Sequence, residues 1–273
     1  MNLLSFIIPC YNSGLFLDQA IQSIYNQKNL LLPFEVICCD DFSIDNTLEI
    51  LNKYKKQHSN FRYYRHYINM GGGAARNTCV LNSNGNLIFC LDSDNILKEN
   101  SVNDLIEFMF YKNCQACGFH KIHYFYDEFT YSHTWRLYHN KNWVCDKECL
   151  IKTFKSSISS GNYLYTRKLF NNINGYSEDL GAQDTWDFGL RHLVKGYDIA
   201  ICPKTYYWHR CHKDSFWIRG ESLGINNVRT IRVYRKIIDL FEDKTKDILK
   251  SDDIELNFSD LLQNKKIKLK FAN

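Results

Sequence analysis

A chain of 273 residues that is 45% hydrophobic and 23% charged holds enough apolar material for a full core, which excludes a predominantly disordered protein. Its 34 basic residues stand against 30 acidic ones, a formal charge of +4 that is too balanced for a nucleic-acid platform, so no nucleic-acid partner is expected. The chain holds eleven cysteines and shows neither a signal-peptide core nor an apolar run of membrane-spanning length, since "LLSFIIPC" stops at Pro9 and lacks a basic flank. The expectation is free thiols in a reducing compartment, the cytoplasm, rather than a disulfide framework.

Leu3–Ile8 is an apolar run of strand length, and "GLFLDQAIQSIYNQ" then spaces Phe16, Leu17, Ala20, Ile21 and Ile24 along one helix face. "FEVICC" predicts a second strand. "SIDNTLEILNKYKKQ" predicts a helix with Leu48, Ile50, Leu51 and Tyr54 inward and with Ser43 or Asp45 as its cap. "NFRYYRH" is a third strand, "GGGAARNTCVLNS" a helix entered through glycines, and "NLIFCL" a fourth strand. Strand and helix alternating at this interval predict right-handed crossovers and an α/β fold with a mostly parallel sheet covered on both faces. After Asn95 the rhythm loosens. "SVNDLIEFMFYKN" predicts a helix, "CQACGFHKIHYFYD" a strand, and a polar stretch containing tryptophan follows through Asn142. Beyond it come a strand, a short helix, a helix from about Asp184 to Lys195, another strand, and mainly helices from Trp217 onward. The tail carries a basic and apolar cluster from Lys265 to Phe271, either a solvated end or a contact for an anionic membrane surface.

In such a sheet, ligands collect at the C-terminal ends of the strands. Pro9, Tyr11 and Asn12 close the first strand, Asp40 and Asp41 the second, and Asp92, Ser93 and Asp94 the fourth. Two carboxylates one residue apart at a turn can both approach a hard divalent cation, and Mg2+ or Mn2+ held this way keeps positions open for phosphate oxygens. "WHRCHKDS" offers His209 and His212 as a further ligand. The stretch "NMGGGAARN" is neither a P-loop nor a dinucleotide fingerprint, so no flavin or nicotinamide is expected; its glycines permit close approach of a ligand while Arg76 points at it. Cys114, Cys117, His120 and His123 have the look of a metal quartet, but a structural zinc site needs a longer excursion between its ligand pairs. Cys38, Cys39 and Cys90 lie in apolar runs and read as buried, inert thiols.

The segments "SFIIPCYN", "EVICCDDFSIDNT", "NMGGGAARN", "GNLIFCLDSDN", "NINGYSEDLGAQDTWDFGLR" and "YYWHRCHKDS", in this order, resemble the GT-A-fold glycosyltransferases of family 2, which are inverting and use nucleotide sugars. The resemblance implies a Rossmann-like central sheet flanked by helices in residues 1–215, split into a nucleotide-sugar-binding half (1–95) and an acceptor-binding half (96–215), with a helical extension over 216–273. It implies that Pro9, Tyr11 and Asp41 face the nucleoside, Asp41 accepting from a uracil ring N–H, with Asp40 equally suited to holding backbone. Arg76 is implied near the base and phosphates, Asp92 and Ser93 near the donor sugar and ribose, and Asp94 on the Mn2+ or Mg2+. His212 fits the family's late histidine better than His209, because Arg210, His212 and Ser215 keep the family's spacing.

The family's Glu-Asp pair is here Gln183 and Asp184. Asp184 is implied as general base for the acceptor hydroxyl, Gln183 cannot titrate, and Asp187, otherwise a helix-surface residue, is the runner-up. Asn95 replaces a frequent third acid and retains a carbonyl oxygen, while Trp186, Trp208 and Trp217 are candidates for sugar stacking. The implied reaction moves one hexosyl or N-acetylhexosaminyl group from a nucleoside diphosphate sugar, a UDP-sugar, to a hydroxyl of a glycan or lipid-linked acceptor in envelope polysaccharide assembly. The implied place is the cytoplasm, with peripheral contact at the inner face of the membrane. The alternatives are a nucleotidyltransferase, which would favour a basic glycine loop where this chain has "PCYNSG", and a nucleotide-sugar-binding protein without turnover, against which Asp184 argues.

Overall fold

Strand β1 (Leu4–Cys10) is buried along nearly its whole length because it has a parallel neighbour on each side and helices on both faces, hence a continuous apolar run without alternation. The structure, a computed structural model, describes residues 3–126, 130–153, 161–223 and 225–251. From β1 the chain runs through α1 (Leu17–Tyr25), β2 (Phe34–Asp40), α2 (Thr47–Gln57), β3 (Phe61–Arg65), α3 (Gly72–Leu81) and β4 (Leu87–Cys90). These are the predicted elements in the predicted order. After them come β5 (Ile96–Leu97), α4 (Ser101–Tyr111), β6 (Ala116–Phe125), β7 (Tyr131–Arg136), β8 (Val144–Cys145), α5 (Lys147–Thr153), β9 (Tyr163–Thr166) and α6 (Arg167–Asn172). A 3-10 turn at Gly181–Gln183 leads into α7 (Asp184–Val194) and β10 (Ile199–Arg210), and the described chain finishes with α8 (Phe216–Ser222), α9 (Ile225–Lys236) and α10 (Asp243–Lys250).

One sheet threads the molecule in the order β3-β2-β1-β4-β9-β6-β10-β5, with β7 on β6 and β8 on β10. The first four strands are mutually parallel, as are β6 and β10, whereas β9 runs antiparallel to both β4 and β6. The polar stretch before Asn142 contributes β7, a strand too exposed to leave an apolar pattern. In α2, Thr47, Leu51 and Tyr54 carry the burial, while Leu48 and Ile50 are only half-buried. Asp45 Oδ1 accepts from the Thr47 N–H at 3.0 Å, so Asp45 caps this helix; the Ser43 hydroxyl instead accepts from the Asn12 N–H at 2.9 Å. The basic cluster from Lys265 to Phe271 lies outside the described residues. No helix among the described residues is long and apolar enough to cross a membrane.

The eleven cysteines are free, and burial pushes the Cys10, Cys79, Cys90 and Cys117 thiols up, which keeps them protonated. An aromatic cluster packs β9, α6 and α7 together: Phe188 is fully buried among Tyr163, Tyr165, Phe170 and Tyr176, stacking on Tyr176 at 4.0 Å. Burial drives the neighbouring His192 down to about 3, so it packs there as a neutral ring. Phe188→Ala is expected to cost about 3–5 kcal/mol of stability, the usual range for emptying an aromatic core site, which urea unfolding would measure. A loss below about 1 kcal/mol would mean that the cluster does not anchor α7.

Candidate active site

The strand order places the C-terminal ends of β2, β1 and β4 side by side, and the chain reverses its direction of winding between β1 and β4, where a crevice must open. The loops after β1 and β4 meet across it: Ser13 Oγ and Ser93 Oγ lie 2.7 Å apart. The loops after β1 and β2 are tied as well, since Asn12 Oδ1 accepts from the Ile44 N–H at 2.9 Å. Pro9 sits one step inside β1, opposite Cys39, and Tyr11 follows on the loop. Tyr11 and Phe42 keep 42% and 43% of their surface exposed, so both rings have faces free for a ligand. Phe42 holds a left-handed backbone at φ 68°, a strained choice for an aromatic residue, of the kind that clusters at working sites.

Asp40 is fully buried and holds structure, accepting from the Ser43 N–H at 3.0 Å and pairing with Arg65 at 3.1 Å. Asp41 is also buried, and its carboxylate faces the loop that leads to α3. Its Oδ1 accepts from the Met70 N–H at 2.8 Å and lies 2.7 Å from His66 Nδ1, and its Oδ2 accepts from the Gly71 N–H at 2.7 Å. Asp41 thus shapes the glycine-rich entry to the helix that carries Arg76, while Asp40 holds the loop after β2.

Arg76 reaches two carboxylates that are distant in sequence. Its Nη2 donates to Asp92 Oδ1 at 2.7 Å and its Nη1 to Asp184 Oδ2 at 2.6 Å. Burial works against the Arg76 charge, but the two acids outweigh it and hold the guanidinium firmly protonated. At Asp184 burial wins: it raises the carboxyl above its ordinary range, against the opposing pull of Arg76 and a hydrogen bond from the Thr185 N–H. Asn162 braces Asp92 from the far side, accepting from its backbone N–H at 2.8 Å and donating to its Oδ2 at 3.0 Å. A Cβ on the preceding Gly161 would stand 2.3 Å from Asp92 Oδ1, so any larger residue there would displace the Asp92–Arg76 contact.

On the other arm of the D-x-D turn, Asp94 Oδ2 lies 3.0 Å from His212 Nε2. Burial raises Asp94, yet the His212 hydrogen bond and the His209 and His212 rings outweigh it and hold the carboxyl below its usual value. His209 is further in, stacked obliquely on Tyr124, with burial pushing its imidazole down. Asn95 turns its carbonyl to the Arg210 N–H at 3.0 Å, so in this arrangement it locks β10 to the turn instead of offering a ligand. Among the described residues no three His, Cys, Asp or Glu side chains cluster as a metal cage. Asp94 and His212 are two ligands of suitable chemistry, and His212 Nδ1 is buried without a partner. Such a pair fits a divalent ion that completes its shell with phosphate oxygens and water.

Gln183 donates from Nε2 to Thr230 Oγ1 of α9 at 2.9 Å, so its amide braces the helical extension. Asp187 is buried, not on the helix surface: its Oδ2 receives the Ser177 hydroxyl at 2.7 Å and Arg191 Nε at 2.8 Å. Trp186 packs edge-on against Tyr234 of α9, and Trp208 lies on β10 beside His123 and Tyr206. Trp217 belongs to α8, but its side chain is outside the described residues. Of the residues implied by the sequence, Arg76, Asp92 and Asp184 are brought into direct contact, and Asp94 with His212 forms a second pair beside them. Ser13, Phe42, Gly161 and Asn162 are additions that the motifs did not announce.

Comparisons with known proteins bear on the fold and the family. A stretch of 95 residues is 38% identical to a poly(ribitol-phosphate) beta-glucosyltransferase of Bacillus spizizenii, covering 34% of this chain and 15% of that protein. The chain therefore matches only a small part of that relative's length. The structure superimposes on residues 1–349 of Staphylococcus aureus TarS in complex with UDP-GlcNAc with a TM-score of 0.69 at 21% identity, over 95% of this chain and 73% of that one. It superimposes on a mannosyltransferase of Pyrobaculum calidifontis, solved with GDP-Man and Mn2+, with a TM-score of 0.65 at 15% identity, over 92% and 69%. These likenesses establish the fold, a GT-A-like sheet with flanking helices and a helical extension. Residues 5–173, which span β1 to α6, match Glycosyl transferase family 2, and the chain belongs to that family.

Proposed function

We propose that this protein is an inverting glycosyltransferase that moves one sugar from a nucleoside diphosphate sugar, of the uridine series, to a hydroxyl of a glycan or lipid-linked acceptor. The observation that carries the reading is the bridge Asp92–Arg76–Asp184. A single arginine ties the D-x-D turn, where the donor sugar is expected, to the carboxylate that begins the acceptor-side helix. On this reading Pro9, Tyr11 and Asp41 form the nucleoside side of the crevice, with Ser93 and Asp92 at the ribose and donor sugar. Asp184 accepts the proton of the acceptor hydroxyl as that oxygen bonds to the anomeric carbon, while the bond from that carbon to the diphosphate breaks on the opposite face. One displacement gives inversion and releases the nucleoside diphosphate. Asp94 and His212 would hold a Mn2+ or Mg2+, which when bound supplies positive charge to the leaving diphosphate.

We place it in the decoration of a bacterial envelope polymer, in the cytoplasm near the membrane; the likeness to a poly(ribitol-phosphate) beta-glucosyltransferase supports the polymer as acceptor. The test is calorimetric binding of a panel of nucleoside diphosphates with Mn2+, with Mg2+ and with chelator, for the natural chain and for Asp94→Ala. UDP is expected to bind with metal, and the variant to lose at least about tenfold in affinity, the scale of one charge-assisted contact. Failure of every nucleoside diphosphate to bind under any metal condition would falsify the donor site.

A further inference from the structure

We propose that the helical extension builds an anion-binding subsite around Arg229 beside Asp184, and that the acceptor received there carries negative charge, a phosphodiester or a carboxylate near the reacting hydroxyl. This rests on the glycosyltransferase reading above and names its acceptor class. α9 packs along the turn that precedes Asp184, where Thr230 holds Gln183 at 2.9 Å. One residue earlier, Arg229 lies so close over Gly181 that a Cβ there would stand 2.3 Å from its Cζ. Gly181 has φ 52°, so the turn favours glycine at this position, and the absence of a Cβ leaves the space that the guanidinium occupies. The guanidinium also lies 5.4 Å over the Phe216 ring of α8.

Arg229 thus lies between the Gly181 turn and α8, yet no carboxylate among the described residues comes within ion-pair distance of it. Burial and the neighbouring Arg232 both weaken its charged form, and only the more distant Asp184 favours it. A half-buried arginine next to a second one, without a hydrogen-bonded acid, costs stability unless an anion arrives. The row continues outward, because Arg232 and Lys236 follow at helical spacing on the same side of α9. Lys236 pairs with Asp179 at 3.2 Å, and Arg232 also acts on that acid. From Arg229 to Lys236 the row spans roughly 10 Å of helix axis. A neutral glycan needs hydroxyl partners there; a polymer with repeated anions matches a line of cations that begins at the base. The donor diphosphate is the other anion of the site, but its expected holders, Arg76, Asp94 and His212, enter from α3, β4 and the end of β10.

The experiment uses the full chain saturated with UDP and measures calorimetric affinity for a synthetic oligo(polyol phosphate), an oligouronate and a neutral oligosaccharide of equal length. It compares the natural protein with Arg229→Gln and with Arg229→Lys as a check on folding. The natural protein is expected to prefer one charged oligomer over the neutral one, and Arg229→Gln to lose on the order of tenfold toward it, with Arg229→Lys intermediate. Added salt should abolish most of the preference in the natural protein and little in Arg229→Gln. The charged oligomer that responds identifies the anion. Equal binding of charged and neutral oligomers overturns the proposal, as does an unchanged preference in Arg229→Gln. Loss of UDP affinity in Arg229→Gln overturns it too, because it assigns the arginine to the donor. If UDP itself fails to bind the natural protein, the donor reading fails first and takes this one with it.

Discussion

Asp184→Asn is expected to lower kcat by about 10²–10⁴-fold, the range contributed by a positioned general base, while UDP affinity changes by no more than about twofold. The amide keeps an oxygen toward Arg76, so the ion pair becomes a neutral hydrogen bond and the turn before α7 keeps its shape. On the proposed mechanism, what is lost is the proton acceptor alone. The natural enzyme should also show an acid limb in kcat/KM. Burial raises the Asp184 carboxyl, so its ionised fraction falls away at a higher pH than the ordinary aspartate value near ~3.9. Activity is therefore full above that raised pKa and lost as the pH drops through it, and the residual activity of Asp184→Asn should lack this limb. Stopped-flow or steady-state rates across pH with a turned-over donor would check both. A drop of less than about tenfold in kcat, with the limb intact, would move the base elsewhere.

The sheet was legible because β1, β2 and β4 are buried on both faces and so appear as apolar runs, with turn residues where each ends. That pattern also located the polar clusters at one edge, and the paired acids with the later Asp184 and His212 followed from their resemblance to a family. The partners of those residues were not legible. Arg76 could be placed near a ligand, but nothing local shows that it reaches Asp184 across 108 positions. Asn162 sits in a segment that reads only as the start of a strand, and its grip on Asp92 exists only because β9 pairs antiparallel with β4. Asp187 looked exposed because a carboxylate on a helix usually is; Ser177 and Arg191 supply the bonds that let it be buried. The contact of α9 with the Gly181 turn was hidden most completely, since α9 carries no motif and the spacing between the two segments is long.

Arg76→Met should destabilise the folded protein by about 3–5 kcal/mol at neutral pH, the usual cost of removing one member of a buried charge cluster. Methionine matches much of the volume, so the loss measures charge more than packing. Without the guanidinium, Asp92 and Asp184 face each other across a buried space with nothing to offset their repulsion, and burial then acts on Asp184 unopposed. Its folded-state pKa, already raised, rises further above the unfolded value. A carboxyl raised in this way destabilises the fold where it is ionised, so the penalty is full above the folded pKa. It shrinks as pH falls through that value and is gone below the unfolded one. Urea unfolding of the variant and the natural chain should therefore converge between neutral and acidic pH. The same shift moves the acid limb of kcat/KM to higher pH in the variant, which lost packing alone cannot do. If the stability difference stays constant with pH, Arg76 serves the fold as a filler, and the electrostatic link between the D-x-D turn and the base is not what holds Asp184 in place.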